Sequence, residues 1–303
     1  MCKPKIIVAT SSRFIADIMR EEWMDSDFFH IPLRGESGED TEISIDSGII
    51  ESFLPSVGDI KDEEIRVILH ADKLEQAVAF FHSLASLPSP LSSLTLISTE
   101  EVYSPDAGED VDENFPLRPA SSAGNIAVAI EKEARLWAEA SSTPLIILRT
   151  ATPFGSGMEG WPVTLFHQVL AGRYLHVRGI AGRLSTVMGC DLAHASRLTA
   201  TLPGIYNVAD GVGPTWLKLA EAMSANAGAQ KRMITLPAQW ADIAWKFLKP
   251  LPAVRDSLSP EVREHRSMSR NLSSRKLREA TGMTFYNTLE VLARTDRNYP
   301  YKD

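Results

Sequence analysis

The chain has 303 residues, 44% hydrophobic and 23% charged, an ordinary globular composition that excludes a disordered or collagen-like polymer. A formal net charge of −8 argues against a general nucleic-acid binder, which would carry a basic face. No apolar run approaches the ~18 residues of a membrane span, and the start lacks a signal-peptide pattern, so a cytoplasmic protein is predicted. Two cysteines, Cys2 and Cys190, offer neither a disulfide framework nor metal-ligand spacing, and no metal is predicted. The 18 glycines are an average share, yet the first of them is Gly35.

Taken in chain order, the apolar run Lys5 to Thr10 predicts a buried strand, and Phe14, Ile15, Ile18 and Met19 predict a helix over Arg13 to Trp23. Ile65 to His70 predicts a second buried strand and Leu74 to Leu84 an amphipathic helix. Leu94 to Ser98, a helix from Ala120 to Ala140, and Leu145 to Leu148 continue the alternation. Short β-rich runs separated by helices imply βαβ crossovers and a parallel sheet covered on both faces. Beyond Pro153 the pattern loosens into helices at Val163 to Ala171, Asp191 to Thr201 and Thr215 to Ala225, with a strand at Ile205 to Val208. The tail reads as helix interrupted by Pro250, Pro252 and Pro260. The predicted fold is α/β, a Rossmann-like doubly wound parallel sheet with a smaller C-terminal lobe. Its core takes residues 1–152 and about 180–232, and its lobe about 153–179 and 233–303.

Six fragments in order carry a resemblance. Ile65 to Ala71 ends in a His-Ala pair, Ile97 to Tyr103 is similar to "SS-x-x-VYG", and Ile147 to Gly155 is similar to "LRP-x-x-VYG". Asp191-Leu192-Ala193, Tyr206-Asn207-Val208 and Ser274 to Glu279 follow. Together they resemble the extended short-chain dehydrogenases/reductases, the family of nucleotide-sugar epimerases and dehydratases, over nearly the whole chain.

The chemistry-bearing motifs depart from that family. Its first turn, T-G-x-x-G-x-x-G, uses glycines for a tight turn and close backbone approach to the dinucleotide pyrophosphate. The matching positions here are Thr10, Arg13 and Ala16. No cofactor is therefore predicted, although Arg13 leaves NAD(P) open, since a guanidinium can itself pair with phosphate. The residue nearest the end of the second strand is Arg34, a contact for a 2′-phosphate or a solvated loop residue. The family's Y-x-x-x-K helix supplies a proton-transferring tyrosine and a ribose-binding lysine. With Gly124 and Glu131 setting the register, those positions are Ala123 and Ala127, and methyl groups transfer no protons.

Ligands of doubly wound sheets bind beyond the carboxyl ends of the strands. Polar residues predicted there include His70, Asp72, Glu100 and Thr152. Thr99, Tyr103, Glu101 and His70 are the candidate catalytic set, with Glu101 or His70 as base and Tyr103 as acid; packing under the loop is the competing role for Tyr103. Ser98, Arg149 and Arg183 are candidate substrate contacts, Arg183 by its similarity to a family arginine that meets the nucleotide diphosphate. Trp240, Trp245 and Phe247 read as packing inside the lobe or as a pocket lining. The resemblance also implies a homodimer through the helix carrying Ile126, Ala127, Ile130, Ala134 and Trp137.

The resulting expectation is an atypical epimerase/dehydratase-like protein without hydride chemistry. It would bind a small-molecule ligand or catalyse a non-redox biosynthetic step, with neither nucleic acid nor membrane as partner. The alternatives are an active epimerase, dehydratase or reductase with a remodelled cofactor site, and a regulatory or scaffolding pseudoenzyme.

Overall fold

A computed structural model describes residues 3–33, 64–84, 91–226 and 233–294; Arg34 lies outside them. The strands are β1 (Lys5–Thr10), β2 (Asp27–Pro32), β3 (Ile65–His70), β4 (Ser93–Thr99), β5 (Gly108–Val111), β6 (Leu145–Thr150), β7 (Thr152–Phe154), β8 (Leu175–Val177), β9 (Thr186–Met188), β10 (Gly204–Val208), β11 (Ile234–Leu236) and β12 (Arg270–Leu272). The helices are α1 (Arg13–Glu22), α2 (Leu74–Leu84), α3 (Ser122–Ser141), α4 (Trp161–Leu170), α5 (Gly189–Leu198), α6 (Trp216–Asn226), α7 (Ala238–Leu248), α8 (Pro252–Leu258), α9 (Pro260–Ser267), α10 (Arg275–Thr281) and α11 (Thr288–Ala293).

Six strands form one parallel sheet in the order β10-β6-β4-β3-β1-β2. Alternate residues along each strand serve opposite faces, and both faces are apolar. Ile68, Ile146 and Leu148 pack with Phe14, Ile15 and Met19 of α1 and Leu192 and Ala195 of α5. Val67, Leu69 and Ile147 pack on the other side with Phe80 and Phe81 of α2 and Ile130 and Ala134 of α3. This period-two sharing is why the strands read as unbroken hydrophobic runs. On the α1 side the packing is tight: a Cβ on Gly189 would stand 2.6 Å from the Phe14 ring, so even alanine requires the ring or α5 to shift.

Between β1 and β3 the chain order reverses, so a crevice opens beyond the ends of these two strands. The two-residue link Ser11-Ser12 brings α1 back under the sheet directly after β1. β7, β9, β5 and β12 extend the crevice as two short parallel pairs, and β8 pairs with β11 farther along.

The helical tail breaks where expected: Pro250 lies between α7 and α8, and Pro252 and Pro260 open α8 and α9, since a first-turn proline loses no helical hydrogen bond. Trp240 and Phe247 on α7 are 55% and 69% exposed, while Trp245 packs partly against Val177, Ala241, Val254 and Leu258. On α3, Ile130 and Ala134 bury against the sheet and Trp137 stacks on Phe81 with ring centroids 5.8 Å apart, while Leu136 is 52% exposed. Among the described residues no helix is long and apolar enough to cross a membrane.

Candidate functional site

The turn after β1 closes on itself. Thr10 Oγ1 accepts from the Ser12 N–H at 3.0 Å and faces His70 Nδ1, also at 3.0 Å. Ser12 caps α1, its Oγ accepting from the Ile15 N–H at 3.1 Å. The same hydroxyl donates to Glu159 Oε2 at 2.8 Å, and the Phe14 N–H donates to Glu159 Oε1 at 3.3 Å. Three amide donors at this helix start, Ser12, Phe14 and Ile15, thus already have acceptors within the chain. Glu159 reaches them from a loop shaped by Gly157 and Gly160, both with positive φ (77° and 74°) that other residues rarely adopt. A carboxylate there complements the positive end of the helix dipole.

Arg13 is directed elsewhere. Its side chain is 91% exposed and pairs with Asp17, one helical turn on, at 3.7 Å. Position 13 opens α1, and its side chain leaves from the solvent face, so in this structure its guanidinium does not enter the groove. Ala16 is buried against the sheet and fills the family's third-glycine position with one methyl group.

Beyond the strand ends lies a cavity of about 500 Å³. Its wall includes His70, Asp72, Thr99, Glu101, Ala123, Ala127, Thr150, Thr152, Glu159 and Trp161. Three carboxylates line it and, among the described residues, no lysine or arginine does. Burial lowers the His70 pKa, with Asp72 and Glu159 opposing that shift, so the ring favours its neutral form. Asp72 is itself held by the Ser11 hydroxyl at 2.6 Å.

A second cavity of about 300 Å³ adjoins the first, sharing Glu101, Thr152 and Trp161. Glu100, Arg183, Trp216, His265 and Arg270 complete its polar and aromatic wall. Burial drives the Glu100 pKa up, against the opposing pull of Arg270, whose Nη2 lies 3.5 Å from Glu100 Oε1. Glu101 is oriented by the Ser121 hydroxyl, which donates to Oε2 and accepts from the Gly124 N–H at 2.9 Å. Gly124 is required by close approach, because a Cβ there would lie 2.2 Å from the Glu101 carbonyl oxygen.

No protein-family model matches the chain, and no curated protein matches its sequence. Solved structures do. The UDP-N-acetylglucosamine 4-epimerase of Bacillus cereus superposes with a TM-score of 0.70 at 14% identity, covering 99% of each chain. A Thermotoga maritima UDP-glucose 4-epimerase solved with UDP-glucose gives 0.68 at 15% identity, over 96% of this chain and 97% of that one. A Bacillus anthracis dTDP-glucose 4,6-dehydratase in complex with NAD gives 0.68 at 14% identity, over 96% of this chain and 95% of that one. The chain has the epimerase/dehydratase fold.

Within this epimerase/dehydratase fold the sequence-derived site residues divide into two groups. Thr99, Glu101 and His70 line the larger cavity, as do Ala123 and Ala127, while Arg183 lines the smaller one. Thr99 Oγ1 accepts from the Glu101 N–H at 3.3 Å, which leaves its proton available. Tyr103 and Arg149 are instead buried, at 0% and 2% exposure, in a network away from both cavities. Arg149 donates through Nε and Nη2 to Glu131 (3.0 and 2.8 Å) and through Nη1 to the Tyr103 hydroxyl (2.9 Å). The Tyr103 hydroxyl in turn donates to Asn207 Oδ1 at 3.0 Å. Ser98 turns its hydroxyl to Glu131 Oε1 at 2.8 Å. Ser98 nevertheless lines the larger cavity, as expected of a substrate contact; the expected roles of Tyr103 as acid and of Arg149 as substrate contact are corrected by these partners, which a buried charge and phenol demand. Sequence reasoning missed Glu159, Trp161, Trp216, His265 and Arg270. An acid between Gly157 and Gly160, just past a strand, was the available signal for the first; the others come from loops and helices far apart in sequence.

Proposed function

We propose that the chain binds a small polar metabolite in the two joined cavities and performs a proton-transfer step, an elimination or isomerisation, without a nicotinamide. The observation that carries this reading is the occupied start of α1, where Glu159 and the Thr10 and Ser12 hydroxyls satisfy the Phe14, Ser12 and Ile15 amides. A dinucleotide would have to displace a carboxylate and bring its pyrophosphate into a cavity lined by Asp72, Glu101 and Glu159. Like charges brought together in a shielded cleft repel. Ala123 and Ala127 on the same wall leave hydride chemistry without its proton donor and ribose anchor.

Acid–base chemistry has its groups at hand. Glu101, at the junction of the cavities, takes a proton from carbon next to a carbonyl; Glu100, whose pKa burial raises, delivers one to a leaving hydroxyl, and water departs. His70 is a second base on the β3 side, and the Thr99 hydroxyl steadies the developing oxyanion. In deuterated water, without added nucleotide, the protein should exchange the α-proton of β-hydroxyketones. Glu101→Gln should slow that exchange by about 10²-fold or more, and exchange strictly dependent on added NAD(P) contradicts the reading. The same reading takes the protein as a cytoplasmic homodimer, the dimer being checked by sedimentation.

A second reading keeps NAD and an active epimerase or dehydratase. It is favoured by the cavity of about 500 Å³ at the sheet's switch point and by the NAD and UDP-glucose held by proteins of this fold. It requires the Glu159 loop to withdraw. An open cleft with several polar groups speaks against a purely scaffolding role.

A further inference from the structure

Helix α7 is apolar around most of its circumference. Ala241, Ala244 and Trp245 face inward and pack with Val177, Val254 and Leu258. A helix at the surface of a globular protein carries polar residues on its remaining face. Here Trp240, Ile243 and Phe247 follow one another at spacings of three and four residues and so share a stripe. Leu248 and, just past the helix end, Leu251 extend it. All five side chains are between 47% and 69% exposed. Single exposed apolar residues are ordinary, but two aromatic and three aliphatic side chains gathered in one short stretch form a patch, and such patches mark contact surfaces.

Charge selects what the patch meets. The layer around α7, residues 161–180 and 233–258, carries Arg173, Arg178, Lys246, Lys249 and Arg255 against two acids, Asp242 and Asp256. Both acids are engaged, Asp242 by Arg263 at 2.6 Å and Asp256 by Arg255 at 2.9 Å. The next acids in sequence, Glu261 and Glu264, belong to α9, which also carries Arg263 and Arg266. Lys246 lies beside the stripe, its Nζ 5.5 Å from the centre of the Phe247 ring, and Lys249 follows the helix end. Lys246, Lys249, Arg173 and Arg178 are all exposed, and no carboxylate among the described residues pairs with them. Although the chain as a whole carries a net charge of −8, this layer is positive and turns toward a negative surface. Exposed aromatic and aliphatic side chains edged by lysines, on a helix held from behind by the protein, are the pattern of a helix lying in a bilayer interface. A twofold contact between two copies would instead set these lysines against each other, with no unengaged carboxylate on α7 to meet them.

From this arrangement we infer that the α7 face docks the protein on an anionic lipid surface. Trp240, Ile243, Phe247 and Leu251 enter the boundary between headgroups and acyl chains, and Lys246 and Lys249 meet the lipid phosphates. The contact is peripheral, so the lack, among the described residues, of a helix able to cross a membrane does not bear on it. Nor does it depend on the chemistry proposed for the cavities.

Co-sedimentation of the intact protein with phosphatidylcholine vesicles, with and without about one-third phosphatidylglycerol, tests it. Binding to the anionic vesicles should be at least about tenfold stronger than to the neutral ones, and should weaken as salt rises from about 0.05 M to about 0.5 M. Phe247→Glu and Trp240→Ser should each weaken it by about tenfold or more. The double variant Lys246→Gln/Lys249→Gln should weaken it by about 25-fold, at about fivefold for each lysine. These side chains are exposed, so the variants should melt with the parent. Met24→Glu, which changes an exposed apolar residue just after α1, should bind vesicles as the parent does. No binding to anionic vesicles up to about 1 mM lipid, equal binding to both kinds of vesicle, or an unaffected Phe247→Glu would each overturn the inference. So would a dimer that Phe247→Glu splits in the absence of vesicles, which would give this face to a second copy of the chain.

Discussion

Glu159 meets the first turn of α1 with both carboxylate oxygens, one on the Ser12 hydroxyl and one on the Phe14 amide. Its residue position is exposed, so the contribution is modest: Glu159→Ala should lower stability by about 0.5–1 kcal/mol. Urea unfolding at low and high salt checks this, and the loss should shrink as salt screens the helix end. Arg149 is a larger test at the same scale. Arg149→Met would leave Glu131 fully buried with Arg135 as its one remaining cation, at 2.9 Å. A loss of about 3 kcal/mol is expected in thermal or urea unfolding. If Arg149 served mainly as a substrate contact, stability would hardly change.

At the scale of elements, α5 carries a pH dependence. Asp191 in its first turn is pushed up from 3.8 to about 6, mainly by burial, although it accepts the Tyr286 N–H at 2.9 Å. Below the lower value both folded and unfolded chains hold the proton. As pH rises toward 6 the unfolded chain releases it first, so stability falls across this window, by about 3 kcal/mol in all. Asp191→Asn keeps an acceptor for Tyr286 and removes the penalty. It should melt higher than the parent at pH 7.5 and without advantage near pH 4; an equal difference at both would assign the effect elsewhere. Elements also differ in how plainly the sequence spells them. β1 and β3 run over Lys5–Thr10 and Ile65–His70, the very spans predicted, because two buried faces leave an uninterrupted apolar run. β5 is Gly-Glu-Asp-Val and finds its partner β12 some 160 residues later, so nothing local announces it. β7, β8, β9 and β11 have three residues each, too few to display a period.

Across the whole molecule, absences were legible and replacements were not. Thr10, Arg13, Ala123 and Ala127 stand where the resemblance places the glycines of a cofactor turn and a proton-transfer pair. What now occupies the groove depends on residues such as Glu159, which lies 147 positions from the Ser12 it binds. The aromatic wall likewise joins Trp161, Trp216 and His265 from three helices. For Tyr103 and Arg149, a strand end places the side chain near the crevice without fixing which way it turns. Their mutual bond and the Glu131 pair turn them inward. We propose that internal groups take the place of a pyrophosphate at the start of α1 and that an acidic cleft takes that of a dinucleotide groove. Calorimetric titration of the intact protein with NAD⁺, NADH, NADP⁺ and NADPH tests this most directly. The account predicts no saturable binding of any of the four up to about 1 mM, whereas a Kd of about 10 μM for even one, some 7 kcal/mol of binding, would contradict it.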